Sequence, residues 1–250
     1  MPQRTNGRAG RAGRATRATA GTEGIEVKVT VVDRDETTAL RKFGLERKKG
    51  ERRRIFFYDT RELRLFKKGI CLRAREMDEE CDSTVKIRPV EPKRVARKWR
   101  EKSGFKVEAD AIGPKVVRSA SFSTAQKPRE IAKVASGNRA IAKLFSGAQE
   151  EFLREMAPVE IDFAKLVPLG PVAVLRWKFR NEGIPYDLCA EEWRLPDGRD
   201  VIEISIKAKQ VEAAAAQAAL EGFLAELGIA PETRQQTKTR SALEYFAARR

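Results

Sequence analysis

Residues 57–75 read FYDTRELRLFKKGICLRAR, and residues 84–88 read TVKIR. The pair Lys68-Gly69 is typical of a tight turn, because glycine adopts backbone angles that other residues avoid. After this turn, apolar residues alternate with Arg73 and Arg75, and a period of two predicts a β-strand with one apolar and one cationic face. The segment therefore predicts two strands joined by a short helical turn.

The same alternation occurs along most of the chain from Gly24 onward. Strands are predicted within residues 25–31, 53–58, 70–75, 84–88, 105–110, 116–121, 175–180, 188–195 and 202–207. Helices are predicted within residues 36–48, 127–157 with a break at 136–138, 211–227 and 239–248. Because Pro196-Asp197-Gly198 is a turn signal, the last two strands should form a hairpin. This order of elements indicates an α+β domain.

Cations are concentrated on the polar faces of these strands. A polar strand face commonly contacts water in a one-sided sheet, and this is the simpler interpretation for any single strand. On one open sheet, however, so many cations would repel one another unless an anion or acidic side chains lay among them. Closure into a barrel of about eight strands would direct these faces into a narrow bore, with helices covering the apolar outside. The cations are Lys28, Arg73, Arg75, Lys86, Arg88, Arg176, Lys178, Arg180, Lys207 and Lys209.

The ligand that such a bore would bind is compact and highly anionic. Arginine side chains bind two phosphate oxygens at once, and lysines add a point charge. Carboxylates that lie among the cations would serve as oxygen ligands for Mg²⁺ or Mn²⁺, which also bind phosphates. These carboxylates are Glu26, Glu108, Glu191 and Glu203.

The composition excludes several kinds of site. The 250 residues contain no histidine, which excludes a Ser-His-Asp triad, a Cys-His dyad and any metal site that uses histidine. Cys71, Cys81 and Cys189 lack the spacing of a zinc site or a disulfide framework. The 51 Lys and Arg exceed the 36 Asp and Glu, and the net charge of +15 favours anionic partners.

Residues 1–23 and 24–250 differ in character. Residues 1–23 are rich in Arg, Gly and Ala and predict a flexible leader, whereas residues 24–250 predict one barrel domain with C-terminal helices. The sequence contains neither an apolar run of about 18 residues nor a secretory signal. We therefore expect a cytoplasmic protein.

The motifs at residues 57–75 and 84–88 resemble those of the CYTH superfamily, also called triphosphate tunnel metalloenzymes. This superfamily includes class IV adenylate cyclases, thiamine triphosphatases and inorganic triphosphatases. The resemblance spans Gly24 to Lys209, and the segment Lys238 to Phe246 is similar to the closing helix of the family. It implies a closed antiparallel eight-stranded β-barrel whose charged tunnel binds a triphosphate together with a divalent metal.

Two positions depart from the family pattern. The opening signature Glu-x-Glu-x-Lys reads Gly24-Ile25-Glu26-Val27-Lys28, so the first acid is missing. A later Glu-x-Glu pair reads Glu203-Ile204-Ser205, so a hydroxyl replaces the second acid. Fewer carboxylates weaken the binding of a divalent cation. The resemblance still implies that Mg²⁺ or Mn²⁺ is held by Glu26, Glu108, Glu191 and Glu203.

The resemblance also implies roles for the cations. Lys28 matches a lysine that family members use to bind or activate the substrate, which makes it the candidate catalytic residue. A general-base role would require a strongly lowered pKa, whereas a phosphate contact would not. The resemblance implies phosphate binding by Arg73, Arg75, Lys86, Arg88, Lys178 and Arg180, and the charged strand faces add Arg176 and Lys207.

Three functions are compatible with these patterns. The first is hydrolysis of inorganic triphosphate, polyphosphate or a nucleoside triphosphate with a divalent metal. The second is binding of the same ligands without catalysis, which the residues Gly24 and Ser205 favour. The third is nucleic-acid binding through the basic leader and surface, although the sequence shows no recognition helix and no aromatic stacking platform. We predict the first function, with the second as the alternative.

Overall fold

A computed structural model describes residues 24–31, 38–78, 80–113, 115–233 and 235–249. The leader predicted at residues 1–23 lies outside these described residues, as do the first two residues of the helix predicted at 36–48. The strands are β1 (Gly24–Val31), β2 (Glu51–Asp59), β3 (Ile70–Met77), β4 (Cys81–Ile87), β5 (Phe105–Ile112), β6 (Lys115–Gln126), β7 (Val167–Phe179), β8 (Leu188–Arg194) and β9 (Asp200–Lys209). The α-helices are α1 (Thr38–Lys42), α2 (Arg64–Lys67), α3 (Arg97–Arg100), α4 (Pro128–Ala135), α5 (Gly147–Met156), α6 (Ala213–Glu226) and α7 (Lys238–Ala248). Within the described part of the chain, no helix has the length and hydropathy needed to cross a membrane.

The strands form one closed barrel in the order β1-β5-β6-β4-β3-β2-β7-β8-β9. The pair β1 and β5 is parallel, and the other neighbouring pairs are antiparallel. The predicted closed α+β barrel is confirmed. The predicted number of eight strands, all antiparallel, is wrong in detail, since the described residues form nine strands. Strand directions can alternate all the way around a ring only if the number of strands is even. A closed barrel of nine strands therefore requires at least one parallel pair.

Helices cover the apolar outside of the barrel in two sectors. The outer faces of β1 and β9, which include Ile25 and Ile204, pack with buried residues of α1 and α6. The outer faces of β3 and β4, which include Leu72 and Val85, pack with buried residues of α3, α4 and α5. Alternate residues of a strand point to opposite faces. The charged residues between these apolar ones therefore point into the bore.

Helix α7 packs against bore-facing side chains rather than against the outside. Phe57 lies on the same face of the sheet as Arg73, its cross-strand partner, and Trp193 lies on the same face of β8 as Glu191. Both aromatic residues belong to the buried apolar cluster that includes Leu243 of α7. The other buried members of this cluster are Ile55, Leu63, Leu169, Val172, Val174, Leu195, Ala242 and Tyr245. Part of the bore is therefore filled with apolar side chains, and the charged residues occupy the rest.

We expect the substitution Leu243→Ala to destabilise the protein. Leu243 is 2% exposed within the apolar cluster, so its truncation leaves a cavity. Urea titration should show a loss of about 2–5 kcal/mol in the free energy of unfolding. The control Val211→Ala, at a position that is 91% exposed, should change this free energy by less than about 0.5 kcal/mol. Equal losses in the two variants would contradict the packing of α7 inside the barrel.

Candidate functional site

Five neighbouring strands place charged side chains side by side in the bore. Cross-strand pairing puts Glu203 opposite both Thr30 and Glu191. It also puts Arg176 opposite both Glu191 and Glu51. Glu191 and Glu203 are therefore direct neighbours on one face, where two like charges repel. The arrangement requires a cation close to both carboxylates.

Lys238, the first residue of α7, is that cation. Its Nζ lies 2.5 Å from Glu191 Oε2 and 2.8 Å from Glu203 Oε1. The indole Nε1 of Trp193 donates a further hydrogen bond to Glu191 Oε2 at 2.9 Å. The alternation of the strands did not indicate Lys238, because this residue lies on a helix. Its one signal was the similarity of residues 238–246 to the closing helix of the family.

Asp110 of β5 lies at the centre of a second charged cluster. Lys28 Nζ lies 2.9 Å from Asp110 Oδ1 and 3.0 Å from Glu26 Oε2. Arg88 Nη2 donates to Asp110 Oδ2 at 2.8 Å. Asp110 is only 2% exposed, so these contacts compensate a buried charge. The sequence pattern indicated Glu108 as a ligand and missed Asp110, although the alternation of β5 places both carboxylates on one face.

The neighbouring charges shift the pKa values in this cluster. Burial raises the pKa of Asp110, but the surrounding cations, Lys28 first among them, outweigh burial and lower the pKa from 3.8 to about 2. Burial lowers the pKa of Lys28, but the surrounding carboxylates, above all Glu203, raise it beyond its usual range. Lys28 therefore stays protonated in this arrangement. A protonated lysine favours the phosphate contact over the general-base role.

The pKa values in the Lys238 cluster shift in the same directions. Burial raises the pKa of Glu191, but Lys238 outweighs burial and holds this pKa well below its usual range. Burial lowers the pKa of Lys238, but Glu191 and Glu203 reverse the shift and raise it. Glu191 and Lys238 are therefore both charged at neutral pH.

Arg73 and Arg75 of β3 form a cationic wall of the bore. Arg75 is paired with Asp82, whose Oδ2 accepts from Arg75 Nε at 3.0 Å and from Nη2 at 2.5 Å. Arg73 differs, because its buried Nε has no hydrogen-bond partner among the residues that the structure describes. Burial and the neighbouring Arg75 lower the pKa of Arg73, which means that its charged form is disfavoured. An anionic ligand would supply the missing partner.

Two other predicted phosphate-binding cations also lie in the bore. Lys86 Nζ lies 3.6 Å from Glu108 Oε2 and 3.8 Å from Asp110 Oδ2, which are long contacts for an ion pair. Arg176 Nε lies 3.5 Å from Glu191 Oε1. The structure thus brings Lys86 and Arg176 close to the acids, with their donors only weakly engaged by them.

Three predicted phosphate-binding cations lie at strand ends instead. Lys178 and Lys207 are exposed near the C-terminal ends of β7 and β9. Arg180 follows the last residue of β7, is 85% exposed in its side chain, and pairs with Asp187 at 2.5 Å. The alternation of residues 175–180 placed Arg180 on the same face as Arg176, but the strand ends at Phe179. Arg180 is therefore not among the buried charges of the bore.

The arranged carboxylates do not form a cage for a divalent cation. Across the described ranges of the chain, no group of three or more His, Cys, Asp or Glu side chains is placed to hold a metal ion. Glu191 and Glu203 are occupied by Lys238. Glu26 accepts from Lys28, and also from the hydroxyl of Ser205 at 3.0 Å. The Mg²⁺ or Mn²⁺ that the resemblance implies therefore does not fit its predicted ligands.

A groove of about 800 Å³ is lined by several arginines. Among them are Arg47 and three successive residues of β2, Arg52, Arg53 and Arg54. Arg54 Nη1 lies 3.0 Å from Glu76 Oε2, and Arg47 Nη2 lies 2.6 Å from Glu192 Oε1. Because Arg47 and Arg54 already contact carboxylates, we place the candidate site in the bore.

Solved structures to which the barrel is similar include those of two proteins. A protein from Hippeastrum, provisionally named an adenylyl cyclase and described as having a dominant triphosphatase activity, aligns with a TM-score of 0.60 and 17% identity over 88% of this chain and 94% of that chain. A protein from Bacillus halodurans, provisionally named an adenylate cyclase, aligns with a TM-score of 0.59 and 17% identity over 88% of this chain and 97% of that chain. No family model and no curated protein matches the sequence. The chain therefore has the CYTH fold that its motifs implied.

We expect Asp110→Asn to destabilise the protein at neutral pH, because three cations lose their shared partner. The lowered pKa of Asp110 means that its stabilising contribution is complete above pH 3.8 and is lost as the pH falls through about 2. At 1.36 kcal/mol per pKa unit this contribution is about 2 kcal/mol. The free energy of unfolding of the wild type should therefore fall between about pH 4 and pH 2 more steeply than that of the variant.

The control for this measurement is Asp187→Asn, which changes an exposed aspartate and should leave the pH profile of the wild type unchanged. Chemical denaturation at a series of pH values gives both profiles. Parallel profiles for the wild type and Asp110→Asn would contradict the role of Asp110 as the buried acceptor of the cluster.

Proposed function

We propose that this protein binds a triphosphate or polyphosphate chain in the bore of its barrel. The observation that carries the proposal is Arg73, whose buried Nε has no partner among the described residues. Arg75 lies two residues away on the same face of β3. Two guanidinium groups at this spacing repel, and burial strengthens the repulsion because the effective dielectric constant is lower than in water. The binding of an anion with several oxygen atoms would offset this repulsion between the two guanidinium groups.

The chemistry of the surrounding donors favours a chain of phosphates over a single carboxylate. Arg73 and Lys86 lie on the neighbouring strands β3 and β4, and Arg88 follows β4 directly. Arg88 Nε is also buried without a partner in the described residues, and Lys86 makes only long contacts. Several donors are therefore available over a stretch of the bore wall. Guanidinium and ammonium groups in such a row match the repeated oxygens of a triphosphate.

We expect the substitution Arg73→Met to stabilise the ligand-free protein and to abolish most ligand binding. Replacing a half-buried cation whose Nε has no partner among the described residues by an apolar side chain of similar length removes a desolvation cost, so the melting temperature without ligand should rise. Tripolyphosphate binding, measured by isothermal titration calorimetry, should weaken at least about tenfold, because a charged hydrogen bond contributes about 1.5–3 kcal/mol.

The matched control is Arg97→Met, which removes an arginine that is 90% exposed on α3. It should leave both the melting temperature and the affinity for tripolyphosphate close to those of the wild type. A large fall in the melting temperature of Arg73→Met would show instead that Arg73 has a structural partner. Unchanged affinity would contradict binding in the bore.

Hydrolysis of the bound chain with a divalent metal is the second candidate function. The triphosphatase activity described for the Hippeastrum protein, which has the same fold, favours it. Glu108 favours it as well, because its side chain is 41% exposed and its contact with Lys86 is long, at 3.6 Å. Phosphate release from tripolyphosphate, ATP and thiamine triphosphate, each with Mg²⁺, Mn²⁺ or EDTA, separates the two candidates. Metal-dependent release that is lost in Arg73→Met would establish a hydrolase, whereas binding without release would establish a receptor.

If the protein is a receptor, restoring the two missing acids should create activity. A Cβ atom at Gly24 would meet only Ala208 O at 3.7 Å, an ordinary contact, and Ser205 already contacts Glu26. We expect Gly24→Glu with Ser205→Glu to release phosphate from tripolyphosphate with Mn²⁺ at least tenfold faster than the wild type, because added carboxylates strengthen cation binding. The control that adds two acids outside the bore, Val116→Glu with Val211→Glu, should not gain release. Equal release by both double variants would contradict the importance of these positions.

A further inference from the structure

Glu191 and Glu203 are a pair of poorly exposed carboxylates that face each other across β8 and β9. Their side chains are 17% and 5% exposed. Both residues are at positions where the resemblance implies ligands for a divalent cation. In this chain the atom between them is the ammonium nitrogen of Lys238, which is 2.5 Å from one carboxylate and 2.8 Å from the other. The same oxygens cannot hold a metal ion and this ammonium group at the same place.

The fold holds Lys238 in this place through contacts on both sides of it. Gln235 forms two hydrogen bonds with the backbone of Thr30, one from Thr30 N at 2.8 Å and one to Thr30 O at 2.8 Å. Thr237 caps the first turn of α7 through its side chain. The ammonium group also lies 5.4 Å from the centre of the Trp193 ring, within the range of a cation–π contact. Lys238 is therefore positioned before any ligand enters the bore.

One of the N–H donors of the Lys238 ammonium group is not used by the two carboxylates. A protonated lysine carries three N–H donors, and the two carboxylates account for two of them. The third can donate to an oxygen of a bound anion. In a phosphate site, a divalent cation neutralises the acids that hold it and also contacts the phosphate oxygens. A fixed ammonium group also neutralises acids and contacts phosphate, but each of these interactions is weaker.

Resting on the function proposed above, we propose that Lys238 takes the place of the divalent cation in this bore, so that the protein binds tripolyphosphate without any metal. Lys238 compensates Glu191 and Glu203, and Lys28 compensates Glu26 and Asp110. No carboxylate of these two pairs is left over to attract Mg²⁺ or Mn²⁺. The binding of the phosphate chain then depends on the arginine and lysine donors alone.

The first test uses the full-length wild-type protein and tripolyphosphate in isothermal titration calorimetry, with EDTA and with Mg²⁺. We expect binding in EDTA that is at least as tight as binding with Mg²⁺, because free metal only competes for the phosphate chain. Binding that requires Mg²⁺ would overturn this inference and leave the proposed function intact. Absence of binding in both buffers would overturn the proposed function itself.

The second test measures Mn²⁺ binding directly, by the loss of the electron paramagnetic resonance signal of free Mn²⁺. The wild type should bind Mn²⁺ poorly. Lys238→Met uncovers two adjacent carboxylates and should bind Mn²⁺ at least tenfold more tightly, and its tripolyphosphate binding should weaken at least tenfold in EDTA and recover in part with Mn²⁺. Arg240→Met, a half-exposed position of the same helix that pairs with Glu244, is the control and should behave like the wild type. Equal Mn²⁺ affinity for the wild type and Lys238→Met would overturn the inference.

A third variant, Glu203→Gln, keeps Lys238 and removes one of its two acidic partners. Thermal unfolding of each variant checks that the variant is folded. If Lys238 replaces the metal, this variant should bind tripolyphosphate in EDTA as tightly as the wild type or more tightly, because a negative charge near the ligand is gone. If Glu203 is instead a metal ligand, binding with Mg²⁺ should weaken. This variant therefore tests whether Lys238 replaces the metal ion even if Lys238→Met does not fold.

Discussion

The pairing of charges inside the bore is the constraint on which this structure depends. A charged side chain removed from water costs several kcal/mol unless a partner of opposite charge compensates it. Asp110 and Lys28 satisfy this requirement together, and so do Lys238 and its two glutamates. Arg73 does not, because its Nε has no partner in the described chain. Under the proposed function, stability and ligand binding are therefore coupled, since the ligand-free protein carries an unfavourable charge that a bound anion would neutralise.

The closure of the barrel by β1 produces the acid-rich part of the bore. β1 runs parallel to β5 and antiparallel to β9, so Glu26 is paired with Asp110 on one side and with Lys207 on the other. Two carboxylates thus meet across the one parallel pair, and Lys28 reaches both of them. An all-antiparallel barrel of eight strands has no such pair. The odd number of strands and the cluster around Asp110 are therefore two consequences of the same topology.

The alternation of side chains was predictable because it is a local property, whereas contacts between distant elements were not. A period of two is visible in the sequence, and it correctly placed Arg73, Lys86 and Glu203 on polar strand faces. The role of Asp110 depends on the parallel register with β1, which no local pattern specifies. The role of Lys238 depends on a helix that returns to the bore 47 residues after Glu191. The place of Arg180 depends on where β7 ends, and strand ends are the least certain feature of a sequence pattern.

The balance of charge in the bore is also compatible with Gly24 and Ser205 at the two positions where the resemblance to the CYTH superfamily implies acids. A divalent cation would add positive charge beside Arg73 and Arg75, whose repulsion is already uncompensated on the Arg73 side. A phosphate chain brings the opposite charge to the same place. With Gly24 and Ser205 in place of acids, Lys28 and Lys238 suffice to neutralise much of the remaining carboxylate charge, and the arginines stay available. Under the proposed function, Gly24 and Ser205 leave the expected attraction for a polyphosphate anion in place, because that attraction would come from the cationic wall and not from the acids.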